Sequence, residues 1–261
     1  MAERVAAGLL LVAQLAAIWW FLKGDLTRWR PFRGLRDGAG RYWRWCIKDV
    51  IAFALPPLVG LVLLDRLDAL TVMPGEFIFA RALLPRLDPA ALRTIAWSAA
   101  LGFVGGTTIV ILATRLRPSR KPFGTLGQVG AMLPHGPREL GAAAVLSIFA
   151  GVTEELAFRL FLPLTLTIAT GSALLGFGLA APVFGAMHRY QGWLGMVATT
   201  LVGLALTAVY LVTGRLWLAM ACHAAIDLNG LVLRPLLTGQ VARGALVLES
   251  PARPEDPGNN A

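Results

Sequence analysis

Charge is scarce in this chain: charged residues make up 15% of its 261, against 56% hydrophobic residues and 28 glycines. An ordinary soluble domain is ~45–50% apolar, so that class is excluded and a polytopic membrane protein is indicated. Cysteine is scarcer still, with two, Cys46 and Cys222, in segments without a spacing signature. That excludes a disulfide framework and a cysteine metal site. Cys222 adjoins His223, but neighbours on a helix point about 100° apart, so it reads as a small core residue. The first apolar run is followed by no small-residue cleavage site but by Trp19, Trp20, Phe21 and Lys23, which reads as an uncleaved anchor rather than a signal peptide. No inverted repeat of transporter type is visible.

What is present in quantity is apolar sequence of membrane-crossing length. A helix needs ~20 apolar residues to span the hydrocarbon core. Such segments lie near 5–22, 47–64, 94–114, 142–168, 172–188, 193–212 and 216–233, which predicts an all-α transmembrane bundle of seven helices, or eight if one splits. Pro56, Pro57, Pro163, Pro182, Gly105 and Gly106 inside them mark expected kinks, which bundles tolerate because neighbours re-satisfy freed backbone groups. Gly102 and Gly106 form a small-xxx-small pattern that permits close helix packing.

The net charge of +9 is unevenly placed. Lys23, Arg28, Arg30, Arg33, Arg36, Arg41, Arg44 and Lys48 face only Asp25 and Asp37 in the first connection, and Arg115, Arg117, Arg120, Lys121 and Arg138 face no acid in 115–138. The connection 65–93 is balanced. By the positive-inside rule the first and third connections are cytoplasmic. Beside membrane spans, such clusters fit topology and anionic lipid rather than nucleic acid, which is dropped as a partner. The last stretch, SPARPEDPGNNA, has the composition of a disordered tail.

Against this background Glu154 and Glu155, adjacent inside AAAVLSIFAGVTEELAFRLFLPLTL, stand out. Ionisable groups at membrane depth cost several kcal/mol and persist where they face a polar cavity and do chemistry or transport. Glu155 and Arg159 are spaced i, i+4 and form an expected pair, whereas Glu154 is rotated ~100° away, has Phe158 one turn on, and is the acid left free. Two further segments supply His188, with Phe184 one turn before it, and His223, with Asp227 one turn after. Glu154, His188 and His223 thus offer one face each of three helices and can converge on a water molecule. A carboxylate that takes a proton from water, with imidazoles holding it or binding a metal ion, is a hydrolytic set. Two His and a Glu are also a zinc ligand set with one open position. His135, in PHGP, reads as a turn residue, and Asp49, Asp65 and Asp88, at span ends, as solvated.

The ordered motifs E-E-x-x-x-R (Glu154, Glu155, Arg159), F-x-x-x-H (Phe184, His188) and H-x-x-x-D (His223, Asp227) resemble those of the CPBP intramembrane proteases, which include type II CAAX prenyl endopeptidases and bacterial Abi proteins tied to bacteriocin maturation or self-immunity. The resemblance covers roughly 139–235 and divides the chain into a three-span region at 1–138, a catalytic core at 139–235 and a tail at 236–261. It implies a multi-pass endopeptidase of the bacterial plasma membrane acting on a membrane-associated, CAAX- or leader-type peptide. Glu154 would be the base, Glu155 and Arg159 a structural pair, His188 and His223 ligands of water or of a divalent metal such as Zn²⁺ (with Glu154), and Asp227 the fourth member. Asp227 departs from the Asn form of that position: an ionised Asp is acceptor-only, so it orients His223 or supports a cation, and the oxyanion donor is left open. With 115–138 cytoplasmic, His188 falls near the cytoplasmic end of its span, which favours an interfacial helix at 139–147 with the span proper starting near Ser147, eight helices in all and a site open to the cytoplasm. A proton- or ion-coupled transporter and a non-catalytic immunity or interaction protein are the alternatives.

Overall fold

The computed structural model describes residues 1–23, 38–116, 129–239 and 241; the remainder of the basic connections at 24–37 and 117–128, and most of the 236–261 tail, lie outside the described residues. Within them the regular structure is helical throughout. The long elements are α1 (Ala2–Lys23), α2 (Ala39–Leu63), α3 (Pro89–Leu116), α4 (Pro137–Thr170), α5 (Ala173–Met187), α6 (Gly192–Thr213) and α7 (Leu216–Leu237). The connection between α2 and α3 holds two 3₁₀ turns and a short helix at Ile78–Ala82.

Six of these segments are long and apolar enough to cross a membrane, fewer than the seven or eight expected. The difference is α5, whose 15 residues rise about 22 Å, short of the ~30 Å hydrocarbon core. It ends at Met187 because His188 leaves helical geometry (φ −91°, ψ 22°) for a 3₁₀ turn over Arg189–Gln191. The interfacial helix at 139–147 does not form separately. Residues Pro137–Thr170 run as one 34-residue span, since no proline or glycine pair interrupts the ladder near Ser147.

Three helices carry a widened π segment: Val50–Ala54 in α2, Leu156–Phe161 in α4 and Asn229–Leu233 in α7. Each is followed at the second position by a proline, namely Pro56, Pro163 and Pro235. Proline has no N–H to give the fourth preceding carbonyl and its ring collides with it, so the turn before it opens. The carbonyl so released at Ala52 accepts a hydrogen bond from Gln14 Nε2 of α1 at 3.1 Å, in a wholly buried contact. Pro182 stays within a continuous α5.

Helices α4 and α7 pack closely at Gly151, where an added Cβ would lie 2.6 Å from the backbone nitrogen of Ala224. At one end α2 is pinned to the start of α4 by Arg41, whose Nη2 reaches Glu139 at 2.8 Å and the Leu133 carbonyl at 2.9 Å, and by Tyr42 donating to the Met132 carbonyl at 2.7 Å. An aromatic series then crosses the bundle: Phe21 of α1 on Phe53 of α2 (4.7 Å between centroids), Phe53 on Phe158 of α4 (5.4 Å), and Phe158 on Phe184 of α5 (5.3 Å).

Helix α3 stands apart, with none of its residues buried and Trp97, Leu101, Ile109 and Leu112 exposed. A helix apolar on all sides suits lipid. Gly102 and Gly106, whose spacing permits close packing, have nothing within 4 Å of a Cβ among the described residues. Its described polar ties run to α7: Asn229 Nδ2 to Thr107 Oγ1 at 2.9 Å, and Arg115 to the Leu237 carbonyl.

Candidate active site in the helical bundle

Glu154 and Glu155 end the regular part of α4, immediately before its π segment. Their one-residue offset gives them different surroundings. Glu155 is fully buried, and its Oε1 meets Arg159 Nη1 at 2.9 Å and His223 Nδ1 at 2.7 Å. The Arg159 contact is an ion pair without aligned N–H geometry. Its guanidinium also lies over the Phe184 ring, 4.1 Å from the centroid. Gly203 of α6 makes room there, since a Cβ would come within 3.0 Å of Phe184 and 3.3 Å of Arg159.

Glu154 turns the other way. Its side chain keeps 14% exposure, and its Oε2 is buried with no hydrogen-bond partner among the described residues, 4.0 Å from His223 Nε2. Asp227 Oδ2 lies 3.7 Å from the same nitrogen. His223 therefore presents one nitrogen to Glu155 and the other to Glu154 and Asp227. The expectation that Asp227 orients the imidazole needs correcting: the short bond at Nδ1 comes from Glu155, because α7 lays His223 directly against the buried acid of α4. Asp227, 32% exposed, stands on the open side.

His188 occupies the end of α5, with Nδ1 at 3.0 Å from the Phe184 carbonyl, the acceptor of an N–H at that nitrogen. Phe184 touches both imidazoles, at 5.0 Å from His188 and 5.7 Å edge-on from His223. The structure thus brings Glu154, Glu155, Arg159, His188, His223 and Asp227 into one region of the bundle. His135 lies elsewhere, in the turn before α4, 3.5 Å from Arg41 and from Glu139. Asp65 and Asp88 are exposed, and Asp88 caps α3 by accepting from the Ala91 N–H at 2.7 Å.

Asp49 departs from expectation. Read as solvated, it is 2% exposed, because α2 begins ten residues before it and the Arg41 anchor draws it inward against α4. Glu154 and Asp227 are among the charges acting on its carboxylate. Tyr190, in the turn after His188, was also passed over: its ring lies 5.8 Å from that of His188, and Glu154, Asp227 and Asp49 act on its hydroxyl. The cost of an acid in an apolar segment would have drawn attention to Asp49; nothing in spacing distinguished Tyr190.

Zinc would need three donors at ~2.0–2.2 Å. Among the described residues no three His, Cys, Asp or Glu side chains are grouped in that way. The residues as arranged do not form a ligand set. Cys46 and Cys222 are free thiols.

Comparison with known proteins adds a family. The model described as Rce1-like, type II CAAX prenyl endopeptidase Rce1-like, matches residues 136–229, which include every site residue above except Asp49. No curated protein and no solved structure gives a match. This is an all-helical, multi-pass membrane protein whose residues 136–229 are similar to the type II CAAX prenyl endopeptidases of Rce1-like type.

Proposed function

We propose that the protein is an intramembrane endopeptidase that hydrolyses a peptide bond of a membrane-associated, CAAX- or leader-type substrate with water activated by Glu154. One observation carries this reading: a buried carboxylate oxygen without a hydrogen-bond partner among the described residues, 4.0 Å from an imidazole nitrogen that faces it. That separation suits a water hydrogen-bonded to both. Glu154 takes a proton as the water oxygen bonds to the scissile carbonyl carbon, and the protonated carboxyl returns it to the leaving nitrogen as the C–N bond breaks. Glu155, fixed by Arg159, holds His223 at Nδ1 so that Nε2 stays turned toward the water. His188, held at Nδ1 by the Phe184 carbonyl, directs its other nitrogen away from its own helix. Burial in apolar helices keeps bulk water out and strengthens each of these interactions. A plasma-membrane location in a bacterium, with the basic connections on the cytoplasmic side against anionic lipid, completes the reading.

The test is cleavage of a prenylated CAAX reporter and of an unprenylated leader-type reporter by purified protein in detergent or proteoliposomes. Glu154→Gln should lower turnover about 10²–10⁴-fold with the thermal unfolding midpoint retained. Equal turnover by Glu154→Gln and the parent protein rejects the reading.

A further inference from the structure

We propose that Tyr190 is a catalytic residue of this site, its hydroxyl donating a hydrogen bond to the scissile carbonyl oxygen as negative charge develops there. The inference rests on the hydrolytic reading above and supplies the donor that reading lacks.

The need is chemical. Attack on a peptide carbonyl creates an oxyanion, and the position where an asparagine amide could donate holds Asp227, whose ionised carboxylate only accepts. Three nearby donor-bearing side chains face other groups. Arg159 is buried against Glu155 and Phe184, Asn229 Nδ2 donates to Thr107, and His223 Nδ1 is held by Glu155.

Tyr190 is placed by the backbone that places His188. Helix α5 stops at Met187, the next three residues form the 3₁₀ turn, and Gly192 (φ 77°) turns the chain into α6. The two rings lie side by side, 5.8 Å apart and inclined by 35°. Gln191 Nε2 donates to the Tyr190 oxygen at 3.2 Å, while Thr199 Oγ1 donates to Gln191 Oε1 at 3.4 Å. The hydroxyl is thereby held as an acceptor on one side, and its own proton is donated to no other residue among the described residues. A neutral phenol is suited to this place, because it can approach the carboxylates of Glu154, Asp227 and Asp49 and still offer a proton to substrate oxygen.

Tyr190→Phe removes only that oxygen. In the reporter assay it should lower kcat about 10²–10³-fold, the usual loss for one oxyanion donor, with KM within about twofold. A peptide aldehyde built on the reporter, whose tetrahedral adduct requires the same hydrogen bond, should weaken as an inhibitor by a similar factor, and the unfolding midpoint should stay within a degree or two. Gln191→Leu, which frees the hydroxyl without deleting it, should give a smaller loss of kcat. Unchanged kcat and aldehyde inhibition in Tyr190→Phe overturn the proposal and leave the hydrolase intact. So does a loss confined to KM or to folded protein, which would mark a merely structural tyrosine. If Glu154→Gln cleaves as well as the parent, the hydrolytic reading itself fails and this proposal falls with it.

Discussion

The ion pair between Glu155 and Arg159 makes a prediction in which stability and activity should separate. Both side chains are essentially buried, at 0% and 1% exposure, and Glu155 also holds His223 Nδ1 at 2.7 Å. Arg159→Met keeps an apolar stem of similar reach but leaves Glu155 without its counter-charge. Removing one partner of a buried pair costs about 3–5 kcal/mol. For a chain of this size that is a fall of the unfolding midpoint on the order of 10 °C. Glu155→Leu should cost stability by the same mechanism, and it also releases His223. The double variant Glu155→Leu/Arg159→Met removes both charges, so apolar packing should recover most of the lost stability. Activity per folded molecule should stay low, because the imidazole is still unheld; loss of such an orienting partner typically costs 10–100-fold. The assay is thermal unfolding in detergent alongside turnover normalised to folded protein. Recovery of both properties in the double variant would refute the assignment of Glu155 as the group that holds His223. A midpoint unchanged in Arg159→Met would refute the electrostatic argument itself.

Two further outcomes are expected. Gly151→Leu forces side-chain volume where even a Cβ would lie 2.6 Å from Ala224 N, so it should cost at least about 1–3 kcal/mol in unfolding measurements and also reduce turnover by separating Glu154 from His223; an unchanged midpoint would contradict the close approach of α4 and α7. Because no three ligand-type side chains are grouped as a metal set among the described residues, activity should survive exhaustive chelation, with less than one metal per chain by elemental analysis. A stoichiometric metal whose removal abolishes turnover, and whose content falls in Asp227→Asn, would establish the metalloenzyme alternative.

Much of the site could be read from helical spacing, and the reasons for the remainder are specific. Glu155 and Arg159 pair as their i, i+4 relation suggests, since both partners sit on one helix. His223 and Asp227 have the same spacing, yet the short bond to His223 comes from α4, because cross-helix distance is a property of packing and does not appear in a one-dimensional pattern. Asp49 illustrates the same limit from the other side. Its position near the start of an apolar run suggested water, but α2 begins earlier, at Ala39, and the Arg41–Glu139 contact carries Asp49 into the bundle. The fold class followed directly from apolar length, whereas the number of spans did not: the apolar segment at 172–188 counts as a span by composition, but its helix, Ala173–Met187, has 15 residues and is too short to cross.

The prolines account for a regularity that links fold to site. Asp49 precedes the π segment of α2, Glu155 that of α4, and Asp227 stands two residues before that of α7, while Pro56, Pro163 and Pro235 follow those segments at the same interval. Each proline deprives the helix of one N–H and pushes its fourth preceding carbonyl aside, and the widened turn that results takes up an additional residue. Beyond such a turn the side chains change face relative to those before it. An acid placed just ahead of the turn can therefore point inward while the apolar residues after it continue to pack. In α4 the one-residue offset ahead of the turn points Glu155 toward Arg159 and His223 within the core and Glu154 toward the side where Asp227 stands. The apolar sequence that crosses the membrane and the acids that could not cross it unaided are reconciled by the same three local defects.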